Sequence, residues 1–150
     1  MYAVSRKNED KFLAVESVTA ANPAANAEFT FTVPAGERWL VLAVTVSCVQ
    51  GATQTPHPRL VIDDGTNTLF AAHSGTAAQA SSTTCQHSWV AQGPAIGPSG
   101  ATTAVVAQGS LPQGLILEAG SRMISNTAGL GANTDYGVPR ATIVKLPAAG

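Results

Sequence analysis

The sequence predicts an all-β domain, an antiparallel β-sandwich whose expected form is a jelly roll. Three features point there. Apolar residues tend to alternate with polar ones instead of following a helical period. Gly, Pro, Asn and Asp break the chain at short intervals. The long charged side chains that coat helices are scarce, with only 11% of residues charged. A globular helix needs a polar face rich in Glu, Lys, Arg and Gln, and no stretch supplies one. At 150 residues the chain is long enough to close one core. Residues 1–150 are therefore read as a single sandwich domain with a flexible N-terminal arm over 1–11.

Each segment between turns supports a strand. One is expected around Phe12 to Val18. Over Ala27 to Val33, the side chains of Phe29, Phe31 and Val33 share one face against Glu28, Thr30 and Thr32. Pro34-Ala35-Gly36-Glu37 turns the chain into a long strand over Arg38 to Val49. There Leu40, Leu42, Val44, Val46 and Cys48 form an apolar face, and the opposite face grades from Trp39 and Val41 to Thr45 and Ser47. Gln50 to Pro58 reads as a loop. Arg59 to Asp63 and Asn67 to Ala72 flank Asp64-Gly65, a strong hairpin signal. Thr83 to Ala91 places Cys85, His87 and Trp89 on one face. Gly93 to Gly100 reads as a Gly/Pro loop and Thr102 to Gln108 as a strand. Leu111-Pro112-Gln113-Gly114 turns into Leu115-Ile116-Leu117, and Ala119-Gly120 into Ser121 to Thr127. A long loop, Ala128 to Pro139, precedes a last strand at Ala141 to Lys145. The total is about eight to ten short strands, the pattern of a sandwich or small barrel.

Composition excludes several function classes. A net charge of −1 with 8 scattered basic residues gives no footprint for nucleic acid or an anionic membrane. The polar start, with Arg6, Lys7, Glu9, Asp10 and Lys11, is unlike a secretory signal, and the longest apolar run, Trp39 to Val44, is too short to span a bilayer. The expectation is a soluble protein made in the cytosol. Cys48 and Cys85 then read as buried thiols, with a disulfide as the alternative that spacing leaves open.

No catalytic constellation emerges, so the chain reads as a non-enzyme without cofactor or metal. His57, His73 and His87 show no metal-ligand spacing and are spread over two loops and one strand. Cys85 and His87 share a strand face, but nothing nearby in sequence would orient the imidazole as a base. Asp63-Asp64-Gly65 lacks the alternating oxygen ligands of a calcium loop and fits a turn. No pair of facing carboxylates suits glycoside hydrolysis. What remains is surface contact. Three long loops rich in small residues, Ala71 to Ser82, Gln92 to Ala101 and Asn126 to Pro139, permit close backbone approach. The arm residues Arg6, Lys7 and Lys11, together with Tyr136 in the last of those loops, are the candidate partner-binding residues; Tyr2 reads as an ordinary surface tyrosine.

The run Phe31-Thr32-Val33-Pro34-Ala35-Gly36-Glu37-Arg38-Trp39, then Leu60-Val61-Ile62-Asp63-Asp64-Gly65, then Leu111-Pro112-Gln113-Gly114 with Leu117-Glu118-Ala119-Gly120-Ser121, resembles small jelly-roll virion proteins of tailed bacteriophages. The similarity runs from about Phe29 onward, and its motifs are turn chemistry, so no functional residue carries over. It implies a capsid decoration (cement) protein, or a tail- or fibre-associated module. Such a protein would be a homotrimer in the virion, made in the host cytoplasm, with the major capsid protein or other virion subunits as partners. A carbohydrate-binding module is the rival reading and would stack sugars on Trp39, Trp89 or Tyr136. An enzyme on a cupin-like jelly roll is a third, and would need clustered histidines beside a carboxylate.

Overall fold

The computed structural model describes residues 13–100 and 105–147. Among them are twelve strands and no helix. The strands are β1 (Val15–Thr19), β2 (Thr30–Thr32), β3 (Arg38–Gln50), β4 (Arg59–Asp63), β5 (Thr68–His73), β6 (Thr84–Ala91), β7 (Ile96–Ser99), β8 (Val105–Leu111), β9 (Ile116–Leu117), β10 (Arg122–Ser125), β11 (Thr134–Tyr136) and β12 (Arg140–Leu146). They form two sheets. The large one runs β1-β12-β3-β6-β8-β7, with β9 and β11 also pairing β3, and the small one runs β2-β10-β4-β5. One core joins them: Phe29, Phe31, Leu60, Ile62 and Met123 from the small-sheet side meet Val41, Val44, Val46, Trp89 and Ile143 from the large. The domain is a β-sandwich. The narrower jelly-roll form, eight strands in two Greek keys, is not established by this strand order.

Local sequence explains most of the elements. The β4–β5 hairpin turns at Asp64-Gly65, with Gly65 at φ +96° and Asp64 Oδ1 accepting from the amides of Thr66 and Asn67. Those amides hold the Asp64 carboxyl below its ordinary range. Next to it, Asp63 accepts both arms of the Arg122 guanidinium across β4 and β10 at 2.9 Å, which also lowers its pKa. In β6, Cys85, His87 and Trp89 all face inward and are fully buried.

The structure departs from the sequence expectation in several places. The apolar face of β3 is not continuous. β12 pairs Thr142 with Ala43 but Ile143 with Val41, leaving Leu42 as the extra residue of a β-bulge. The bulge switches the inward face. Trp39 and Val41 are buried before it and Val44, Val46 and Cys48 after it, whereas Leu40 and Leu42 are only half-buried. The Gly93–Gly100 stretch contains β7, an edge strand that tolerates Pro98 because an edge need not donate every amide. The Ala128–Pro139 stretch contains β11. One pair is not antiparallel: β6 and β8 run parallel from Cys85↔Val105 to Ala91↔Leu111. Cys48 and Cys85 face each other across β3 and β6 as free, buried thiols. Burial raises their pKa values to about 12 and about 11, leaving both protonated and unreactive.

At one corner the two sheets touch. Gly109 of β8 sits against the backbone of β5, where any Cβ would collide with the carbonyl oxygen of His73 and lie 2.9 Å from Trp89 Cδ1. Beside this contact, Trp89 Nε1 donates to the Ala72 carbonyl at 2.9 Å.

Candidate interaction surfaces

Of the four candidate contact residues, Arg6, Lys7 and Lys11 lie outside the described residues, as does the proposed arm over 1–11. Tyr136 is a correction. It is on β11 and is 2% exposed, packed edge-on against Phe29 with ring centroids 5.5 Å apart. Its hydroxyl shares a 2.6 Å hydrogen bond with Thr127 Oγ1, and burial drives its pKa up. The sequence placed it in a loop because β11 is short and lies among Gly, Asn and Pro. Pairing with Val49 and its neighbours on β3 carries it into the core instead.

The aromatic sites expected for sugar stacking are also interior. Trp39 is 4% exposed and Trp89 fully buried. Trp39 borders a cleft of about 290 Å³ between the edge strands β1 and β2, but its indole N–H is already committed to Glu37 Oε2 at 2.6 Å. That bond, then the adjacent Lys145, hold the Glu37 carboxyl below its usual range.

The histidines gave the larger surprise, since the register brings together residues far apart in sequence. His57 and His73 stack with centroids 3.9 Å apart and planes at 21°. Ser74, next to His73, bonds to His87 Nδ1 at 2.7 Å. His87 does have an orienting partner. Gln79 Nε2 donates to the carbonyls of Cys48 and Thr83 at 3.1 and 2.9 Å, so its Oε1 is the acceptor that receives His87 Nε2–H at 2.9 Å. Nδ1 is thereby left to accept from the Ser74 hydroxyl. The order hydroxyl–imidazole–amide resembles that of a nucleophile, base and orienting group. All three members are sealed, however: Ser74 and His87 are 1% exposed and Gln79 is 0%. Burial first, then the charge of His57, holds the His87 pKa near 4. A substrate would reach this relay only if the 74–83 segment opened. As folded, the relay pins that segment to β3 and β6. No sequence signal marked Ser74 or Gln79, because both lie in a stretch of Ala, Ser, Thr and Gly. Among the described residues no group of three or more His, Cys, Asp or Glu is placed to hold a metal ion, and no helix is long and apolar enough to cross a membrane.

Two outward surfaces remain. On the large sheet, alternation turns Thr45, Ser47 and Val49 of β3 outward, beside Thr84, Gln86 and Ser88 of β6. Val106 and Gln108 of β8 extend the same face. Val49 and Val106 are 50% and 52% exposed. The patch is uncharged across three strands, with Asp135 and Arg140 only at its margin, opposite Val49 and Thr45. On the small sheet, the outward positions carry Arg59 and His73 at one end and the Arg122–Asp63 ion pair at the other, with Val61, Ala71 and Ile124 between them. Comparison with family models, with curated proteins and with solved structures found no match.

Proposed function

We propose that this chain is a non-enzymatic structural protein of a tailed-bacteriophage virion, a decoration protein that binds the outer capsid surface as a homotrimer and braces the shell. The observation that supports this reading is the uncharged outer face of the large sheet. It is built of hydroxyls, amides and two exposed valines on a rigid scaffold. Burying such a face against a partner would desolvate no unpaired charge. Contacts of this kind are little affected by salt. Three copies engaging a capsid together would gain affinity through effective concentration, so each contact can be modest. The turn motifs that resemble small virion proteins point the same way. A tail- or fibre-associated position uses the same surface logic. The sugar-binding alternative loses its footing, because the three aromatic rings it needs are core residues.

The test is a native mass measurement of the purified protein, followed by sedimentation with undecorated heads of a tailed phage that carries it. A trimer that pellets with heads in both low and high salt is the expected result. A monomer that stays in the supernatant would sink the proposal, and a trimer that pellets only with tails would move it to the tail.

A further inference from the structure

Strand register builds a basic corner on the outer face of the small sheet. Arg59 opens β4 and lies directly opposite His73, the last residue of β5. His57 bridges to Ala128 just before β4 and lies two residues from Arg59, so on an extended chain both side chains leave on the same side. Stacking of the His57 and His73 rings at 3.9 Å brings the three groups together. His57 Nε2 lies 3.2 Å from the Gly75 carbonyl, which fixes the proton on that nitrogen in the neutral ring.

No carboxylate of the described residues forms an ion pair here. The ion pairs join Arg38 to Glu118, Arg122 to Asp63, and Lys145 to Glu16 and Glu37. Glu28, which is held against the neighbouring 125–127 segment, is taken up by Ser125 Oγ and by the amide and hydroxyl of Thr127. Arg59 donates from Nη2 to Asn126 Oδ1 at 2.6 Å, while its Nε is buried with no acceptor. With Nε out of reach of solvent, it is the terminal guanidinium nitrogens that can meet an oxyanion, and their planar donors suit one.

We propose that His57, Arg59 and His73 form an oxyanion-binding site that takes a carboxylate or phosphate group. Arg59 supplies the permanent charge and the planar donors, His57 stacks on His73, and His73 supplies charge on demand. Burial first, then His57 and Arg59, depress the His73 pKa. An anion among them opposes those last two effects, so binding draws in a proton and strengthens as pH falls. His87, behind Ser74, faces the same corner from β6 but is sealed and neutral. The site does not depend on whether the protein decorates a capsid.

The test is two-dimensional NMR of the imidazole rings during separate titrations with inorganic phosphate, acetate and chloride at constant ionic strength. The His57 and His73 signals are expected to shift saturably with an oxyanion and not with chloride. The apparent affinity should rise by up to about tenfold per unit fall in pH through the titration range of His73. Arg59→Gln should weaken binding by about tenfold or more, and Arg59→Lys, which keeps the charge but not the fork, by less. Persistence of the His87 ring signal verifies the fold of each variant, and if Arg59→Gln loses it, Arg59→Lys carries the comparison. Saturation by phosphate alone assigns a phosphate-bearing ligand; saturation by acetate as well assigns the carboxylate class. Equal shifts with chloride, or variants that respond like the parent protein, would overturn the proposal.

Discussion

On the outside of the large sheet, Thr45, Ser47, Gln86, Ser88 and Val106 present hydroxyls, amides and methyl groups with no charge among them. On the outside of the small sheet, Arg59 and His73 stand opposite each other at one end of β4, joined by His57, and the Arg122–Asp63 pair stands at the other end. The two faces share one core and are built from the same alternation of strand residues. They differ in what can change them. Salt and pH act weakly on the first and directly on the second. One scaffold therefore holds an uncharged face and a titratable one back to back.

The largest expected effect comes from breaking the seam between the sheets. Gly109→Ala drives a methyl into the His73 carbonyl and should cost about 3 kcal/mol or more, read as a fall in the urea midpoint. Acid should act through the relay beneath the basic corner. His87 titrates near 4 in the folded chain against an ordinary 6.5, so between those values the unfolded state binds more protons. Stability then falls as pH drops through that window, by about 3 kcal/mol in all at roughly 1.4 kcal/mol per unit. Thermal melts at stepped pH would show it, and His87→Gln should flatten the slope. Gln79→Ala strands the His87 N–H and frees the 74–83 segment from the Cys48 and Thr83 carbonyls, although the Thr83 carbonyl keeps its bond from the Gln50 amide. It should cost about 2–3 kcal/mol and speed hydrogen exchange in the 74–83 segment. Val106→Lys, on the uncharged face, should leave stability within about 0.5 kcal/mol while abolishing sedimentation with heads. Smallest of all, Glu118→Gln removes an exposed partner of Arg38 and should shift the melt by about 0.5 kcal/mol or less. If Val106→Lys and Arg59→Gln both impaired binding to heads equally, the contrast between the faces would collapse.

Much of this architecture can be read from local sequence. The Asp64-Gly65 hairpin and the inward face of β6 follow from turn residues and alternation alone. The phase of β3 does not, because Leu40 to Val44 is apolar on both faces and only pairing with β12 places the bulge at Leu42. β7 and β11 escaped for a related reason: both are short strands in Pro/Gly-rich stretches whose existence depends on β8 and β3. The histidine corner was invisible, because the Arg59↔His73 register sets it and sequence spacing says nothing about register. The Ser74–His87–Gln79 relay likewise depends on where one polar segment folds back.

The position of β12 has a temporal consequence. It is the last of the twelve strands among the described residues, yet it lies inside the large sheet, between β1 and β3. Until residues 140–146 have left the ribosome, β1 has no neighbour and β3 keeps an open edge along most of its length. Such edges invite pairing with other chains. A protein built this way folds slowly and late, since its central pairing waits for distant segments to meet. Loss of β12 would expose two strands at once, and the expected outcome is aggregation rather than a smaller soluble domain.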